Sequence, residues 1–248
     1  MMRPLGRWLV CLLLAGVALQ LFFLLRIALM LVLDPQSTSF QRSEMWRLAR
    51  QDGPRAQWSQ TWLPYERIAD PLKRAVIASE DAAFVEHGGV EWEAIERARQ
   101  RNARAEELAA RRAARAAAQG RPTRPPQLRG GSTISQQLAK NLLLSGERTL
   151  LRKGQELVLT QLLELFLGKR RILEIYLNSV EWGEGVFGAE AAARHYFGKG
   201  ADRLTASEAA RLAVMLPSPK FYEKRPYSSY LNGRASTIVA RMGAVELP

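Results

Sequence analysis

The N-terminus contains the feature that most restricts the fold, a nearly unbroken apolar run at residues 8–33, where only Gln20 and Arg26 are polar. A helix of that length extends about 39 Å at ~1.5 Å per residue, against a hydrocarbon core of ~30 Å. A cleaved signal peptide is the alternative, but the run is too long and no small-x-small cleavage site follows before Asp34. We therefore predict one transmembrane helix at 8–33, preceded by a short segment at 1–7.

The charges next to the apolar run predict its orientation. Arg3 and Arg7 precede it, and basic residues beside a span favour the cytoplasmic side. We expect a single-pass protein with a cytoplasmic N-terminus and its main domain outside. The only cysteine, Cys11, lies within the run, so the outer domain has neither a disulfide nor thiol chemistry. With only His87 and His195, a zinc site is disfavoured, and no metal ligand is assigned.

Two regions follow the anchor, a polar lead-in at residues 34–67 and a longer domain at 68–248. Most of the longer region has apolar residues at helical spacing, and few stretches alternate as strands do, which predicts a mainly α fold. Asp70 is the predicted N-cap of its first helix, and Gly168 is the predicted stop of a later one. Within it, residues 97–129 are rich in Ala and Arg and end in RPTRPPQLRGG. This composition is typical of a solvated, mobile insertion, and contact with anionic lipid head groups is the functional alternative.

The formal net charge of +12 indicates an anionic partner. Charge alone does not separate nucleic acid, anionic lipid and a phosphorylated substrate. Because the main domain is expected outside the cytoplasm, nucleic acid is the least favoured of the three.

The stretch AVIASEDAAFVEHGG, residues 75–89, ends an apolar helical run in two adjacent acids, Glu80 and Asp81. The negative end of the helix dipole, apolar neighbours and a like charge next door each raise the proton affinity of a carboxyl group. Such a group suits a general base. A solvated acidic pair at a helix end is the commoner explanation when this stretch is considered alone.

Amide, cationic and acidic side chains concentrate in the next two helical segments. In the first, Thr133 and Gln136 have the spacing of a capping box, and the N-terminus near Ser132 is a potential anion site. Two explanations fit these polar residues. They form the solvent-exposed faces of amphipathic helices, or they bind phosphate oxygens. A base beside several phosphate ligands would indicate displacement of a phosphate leaving group. The polar residues are Gln136, Gln137, Lys140, Arg148, Arg152, Lys153 and Glu156.

Five ordered segments resemble the peptidoglycan glycosyltransferases of glycosyltransferase family 51, most closely their monofunctional members. The first is ASEDAAFVEHGG and the second is GGSTISQQLAKNLLL. Because five motifs occur in the family's order, the resemblance is far more specific than a single short match. The segments are 78–89, 130–144, 152–156, 169–199 and 204–219.

The resemblance implies a lysozyme-like helical head with a small jaw subdomain near the membrane. It implies an enzyme that polymerises lipid II into glycan strands, with inversion at the anomeric carbon and release of undecaprenyl diphosphate. The catalytic domain would lie in the periplasm of a bacterial cell, on its inner membrane. Neither S-x-x-K nor K-T-G occurs, so no transpeptidase activity is expected. Expected partners are lipid II, the growing lipid-linked glycan, the membrane, and cell-wall synthesis or division proteins.

The resemblance also assigns roles. Glu80 matches the base that deprotonates the acceptor's 4-hydroxyl, and Glu156 matches a second essential glutamate near the diphosphate. Mg²⁺ or another divalent cation can assist the leaving group, although some members do without one. Glu174, Tyr176 and Asn178 match structural or substrate-orienting positions. The predicted substrate-binding residues are Asp81, Ser132, Thr133, Gln136, Gln137, Lys140, Asn141, Arg148, Arg152 and Lys153.

Two other functions compete with this hypothesis. A lytic, lysozyme-like glycosidase would share a helical fold and a catalytic glutamate, but it would not need cations gathered around a diphosphate. A membrane-tethered module without enzymatic activity would use the basic residues of 97–129 to bind an anionic polymer or lipid.

Overall fold

The structure is a computed structural model that describes residues 4–51, 57–119, 121–122, 125–126, 130–144, 146–147 and 149–248. Of these residues, 69% are helical and 3% lie in strands, which confirms the predicted mainly α fold. The helices are α1 (Pro4–Leu29), α2 (Ser39–Gln51), α3 (Asp70–Glu80), α4 (Trp92–Ala117), α5 (Ile134–Leu143), α6 (Leu150–Ser179), α7 (Ala189–Phe197), α8 (Ala206–Met215), α9 (Pro219–Glu223) and α10 (Ser229–Met242).

Helix α1 is long and apolar enough to cross a membrane, and most of its side chains are exposed. Near its end, Phe23 and Ile27 are buried against the rest of the protein. Gln20 and Gln155 of α6 exchange two amide hydrogen bonds, of 2.9 and 3.1 Å. One of the two polar residues in the span therefore has a partner, and the anchor packs directly on α6.

A small sheet ties the lead-in to the rest of the domain. Its strands are β1 (Ser59–Gln60), β2 (Glu181–Gly183) and β3 (Val186–Phe187), in the order β1-β3-β2. The pairing of β1 with β3 is parallel, and that of β2 with β3 is antiparallel. Gln41 of α2 adds a hydrogen bond to the carbonyl of Ser179. Residues of the lead-in thus take part in the folded domain.

The core holds the site-bearing helices in place. Helix α3 packs against α8 and α10, and α5 packs along α6. Leu72 of α3, Leu138 of α5 and Leu159 of α6 are fully buried in one continuous cluster. Because α3 and α5 are both fixed by this core, the ends that carry the predicted site residues keep a defined separation.

Several predicted helix boundaries are confirmed. The capping box of Thr133 and Gln136 forms, with each residue binding the other's backbone N–H. Gly168 has φ 66° and interrupts α6 with a kink, so two helical segments meet where the sequence predicts a stop. Asp70 is the first residue of α3, and the capping position is Ala69, which has no side-chain hydrogen bond. The carboxylate of Asp70 instead pairs with Lys73 at 2.9 Å.

Candidate functional site

A cleft of about 1050 Å³ lies between α2, α5, the start of α6 and the segment around β2. It brings together most of the predicted substrate-binding residues. Arg148 lies outside the described residues. The predicted residues that line the cleft are Ser132, Gln136, Gln137, Lys140, Asn141, Arg152, Lys153 and Glu156.

Glu80 ends α3 and is half-buried beside this cleft. Its Oε2 accepts a hydrogen bond from Nε2 of Gln137 at 3.0 Å, and Gln137 lines the cleft. Burial raises the pKa of Glu80, and the neighbouring Asp81 raises it further. Hydrogen bonds from Gln137 and Ser79, and the charge of Arg234, lower this pKa but do not cancel the rise. The direction agrees with the prediction and suits a group that accepts a proton.

Asp81 is buried, and both of its carboxylate oxygens are bound within the protein. Oδ2 accepts the backbone N–H of Ile134 at the N-terminus of α5, and Oδ1 lies 2.8 Å from Nε2 of His87. Because the N–H of Gly89 donates to Nδ1 of His87, the ring proton is on Nε2 and points at Asp81. The anion site predicted near Ser132 is thus filled by the protein's own carboxylate. This geometry favours a positioning role for Asp81 over direct contact with substrate.

A hydrogen bond between Thr133 and Gly89 also fixes the segment after α3 to the N-terminus of α5. The hydroxyl of Thr133 donates to the carbonyl of Gly89 across 2.6 Å. Gly89 has φ 90°, a region that side chains rarely adopt. A Cβ at this position would lie 2.8 Å from Cγ of Glu164 and 2.9 Å from Cγ2 of Thr160. The second glycine of the EHGG motif is therefore required by both the backbone and the packing.

We expect Gly89→Ala to destabilise the protein by about 2 kcal/mol or more, because strain and overlap add together. Thermal unfolding in detergent measures the loss. Gly88→Ala is the matched control, since a Cβ there meets nothing within 4 Å. Equal melting temperatures for the two variants would show that the close approach at Gly89 is not needed.

Cations surround a buried carboxylate on the α6 side of the cleft. Glu156 is 3% exposed, and its Oε2 accepts from Nη1 of Arg152 at 2.8 Å. Its Oε1 pairs with the ammonium group of Lys153. Nε of Arg152 is buried and has no hydrogen-bond partner within the described part of the chain. The carboxylate therefore holds two cationic side chains at the cleft.

The sequence reasoning missed a second charged cluster, which includes two residues of the cleft lining, Glu44 and Glu181. Lys220 pairs with Glu44 of α2 and lies 3.2 Å from Glu181 of β2. Burial is the main reason that the pKa of Glu181 rises to about 7. Glu44 and Glu181 are 137 positions apart in the sequence, and Glu181 and Lys220 are 39 apart. Local spacing therefore gave no signal that the three residues meet.

Comparison with known proteins identifies the family. A family model described as Transglycosylase matches residues 48–243, most of the chain.

The chain belongs to the transglycosylase family.

Similar proteins carry the name biosynthetic peptidoglycan transglycosylase. The one from Bordetella avium (strain 197N) is 54% identical over 215 residues, which are 87% of this chain and 83% of that protein. The one from Herminiimonas arsenicoxydans is 47% identical over 248 residues, 100% of this chain and 99% of that protein. The one from Paraburkholderia xenovorans (strain LB400) is 50% identical over 94% of this chain and 89% of that protein.

The described residues of this transglycosylase do not form a good metal site. Ligand atoms of Asp81, His87 and Glu91 lie within 4.8 Å of one another. However, Asp81 and His87 bind each other and the backbone, and Glu91 pairs with Arg97. In the cleft, both oxygens of Glu156 are already paired with cations. A divalent cation at a diphosphate therefore stays a prediction.

The raised pKa of Glu181 predicts how the stability of this transglycosylase depends on pH. The folded protein keeps the Glu181 proton up to about pH 7, whereas the unfolded chain releases it near 4.5, the ordinary pKa of a glutamate. The stabilising effect is complete below pH 4.5 and is lost as pH rises through 7. Glu181→Gln removes this titration, so its stability should fall less than that of the wild type over this range. Unfolding midpoints at a series of pH values test this, and parallel curves would contradict it.

Proposed function

We propose that this transglycosylase is a peptidoglycan glycosyltransferase that polymerises lipid II into glycan strands. One observation carries the proposal. Glu80, a half-buried glutamate of raised pKa, accepts a hydrogen bond from Gln137. Gln137 lines the same cleft as the cationic side chains around Glu156. A base and a set of anion-binding groups at one cleft are what displacement of a diphosphate by a sugar hydroxyl requires.

In the proposed reaction, Glu80 takes the proton from the 4-hydroxyl of the acceptor sugar. The acceptor oxygen forms a bond to the anomeric carbon of the donor from the face opposite the diphosphate, so the configuration inverts. The bond between that carbon and the diphosphate oxygen breaks, and the electron pair leaves with undecaprenyl diphosphate. The raised pKa of Glu80 supports this role, because a carboxylate with greater proton affinity is a stronger base.

Cationic side chains would stabilise the leaving group. Arg152 and Lys153 are held by Glu156 at the cleft, and Lys140 lines the same cleft from α5. Negative charge grows on the diphosphate as its bond to the sugar breaks, and fixed cations stabilise that charge. The side chain of Lys153 supports this assignment, since it is 52% exposed and its ammonium group can donate to a phosphate oxygen.

The anchor supports a substrate that arrives from the bilayer. Beside the α1 contact, α6 exposes apolar side chains seven residues apart, Leu151, Val158 and Leu165. An apolar stripe next to a membrane-spanning helix is suited to contact with lipid. We propose that α1 crosses the inner membrane once, with its N-terminus in the cytoplasm and the cleft on the periplasmic side.

Purified lipid II tests the proposed function. The full-length chain in detergent should convert lipid II into glycan strands and release one lipid diphosphate for each bond formed. Finished peptidoglycan is incubated in parallel as the alternative substrate. Fragments released from it, without polymer from lipid II, would establish a lytic glycosidase and overturn the proposal.

A further inference from the structure

A chain of two hydrogen bonds ends on the carboxylate of Glu80. The hydroxyl of Tyr176 donates to Oε1 of Gln137 across 2.9 Å, and Nε2 of Gln137 donates to Oε2 of Glu80 across 3.0 Å. Tyr176 belongs to α6, Gln137 to α5, and Glu80 ends α3. The bonds therefore connect three helices and terminate on the proposed base.

The tyrosine hydroxyl determines which way the amide of Gln137 points. An ionised carboxylate only accepts hydrogen bonds, so the NH₂ end of the amide must face Glu80. The oxygen end then faces away and needs a donor, which Tyr176 supplies. Tyr176 is 1% exposed, and its ring packs in the core, so the donor is fixed in position. A flexible amide is thereby held in one of its two orientations.

We propose that Tyr176 is a positioning residue, which fixes the amide of Gln137 so that Glu80 is oriented for proton removal. The proposal rests on the proposed function, because it takes Glu80 as the base. Tyr176 is buried and is not among the described residues that line the cleft, so it acts through Gln137 and does not touch substrate.

The surroundings of Glu80 determine the expected sign of the effect. The charged groups acting on it are Asp81, which raises its pKa, and Arg234 of α10, which lowers it. The amide of Gln137 and the hydroxyl of Ser79 lower the pKa by binding the charged form. Burial raises the pKa of Tyr176 well above its ordinary value, so its hydroxyl stays protonated as a donor. Loss of that donor weakens the bond from Gln137, and the pKa of Glu80 rises.

The test is the pH dependence of kcat/KM for lipid II in Tyr176→Phe, which keeps the ring and removes the hydroxyl. The ascending limb of this pH profile, where the rate rises with pH, should move to higher pH by about 0.5 to 1 unit. At the acidic end of the profile, kcat should fall about 3- to 10-fold. KM should change little, because no substrate contact is lost. An ascending limb at the wild-type pH would overturn the proposal.

Two further variants separate positioning from general damage. Tyr196→Phe removes the hydroxyl of a partly buried tyrosine, which donates to the carbonyl of Trp182 at 2.8 Å, and the ascending limb of this variant should not move. Gln137→Leu tests the same connection without a change in the core, and its limb should move in the same direction. In the double variant with Tyr176→Phe no additional shift is expected. Additive shifts, or an unmoved limb in Gln137→Leu, would also overturn the proposal. Release of fragments from finished peptidoglycan, without polymer from lipid II, would instead overturn the proposed function itself.

Discussion

Glu80→Gln should reduce the rate of lipid II polymerisation by about 10²- to 10⁴-fold, the usual contribution of a general base. Glutamine has nearly the same shape as glutamate and can still accept the hydrogen bond from Gln137, but it cannot take up a proton. Binding of lipid II should persist, because the cations around Glu156 are unchanged. Initial rates with purified lipid II, together with direct binding of the same lipid, measure both quantities.

Glu86→Gln is the matched control for this experiment. Glu86 follows Glu80 by six residues, is exposed, and is not among the described residues that line the cleft. Its rate should equal that of the wild type. Retention of most activity in Glu80→Gln would show that another group removes the proton, and equal losses in both variants would indicate general damage to this segment.

Glu156→Gln should lower kcat/KM by about 10²-fold, similar to the loss of one preorganised donor at a developing anion. The change removes the negative charge that holds Arg152 and Lys153 at the cleft. The two cationic side chains then repel each other and are no longer fixed side by side. Stabilisation of the departing diphosphate falls as a result. Rates at several lipid II concentrations, with a melting curve to check the fold, measure this effect.

Glu107→Gln provides the comparison. Glu107 pairs with Arg111 at 2.6 Å with the same four-residue spacing as Arg152 and Glu156, but both partners are exposed on α4. An exposed pair contributes only about 0–1 kcal/mol, so neither activity nor melting should change measurably. If Glu156→Gln behaves like Glu107→Gln, the buried pair does not organise the cleft.

Local patterns in the sequence predicted much of the helical framework. The apolar run at the N-terminus predicted the anchor, and α1 is long and apolar enough to span a membrane. The capping box at Thr133 and the stop at Gly168 depend on residues within one turn, and both are confirmed. These features succeed because the interactions that create them are local.

Contacts between distant segments could not be predicted in this way. Asp81 accepts the backbone N–H of Ile134, 53 residues away, so a residue that the resemblance assigned to substrate binding also joins α3 to α5. The lead-in contributes Glu44 to a cluster whose other members, Glu181 and Lys220, lie far along the chain. Tyr176 contacts Gln137 across 39 residues. Periodicity predicts that such residues lie on helices, but it does not predict which helices meet.

The pH dependence of kcat/KM for lipid II polymerisation tests the proposed role of Glu80 most directly. We predict that activity rises with pH through one ionisation with an apparent pKa above 4.5, the ordinary value for a glutamate, because burial raises the pKa of Glu80. The same limb should remain in Glu181→Gln, which removes the other carboxyl group of raised pKa at the cleft. A rate that does not depend on pH, or a limb that disappears in Glu181→Gln, would contradict the assignment of Glu80 as the base.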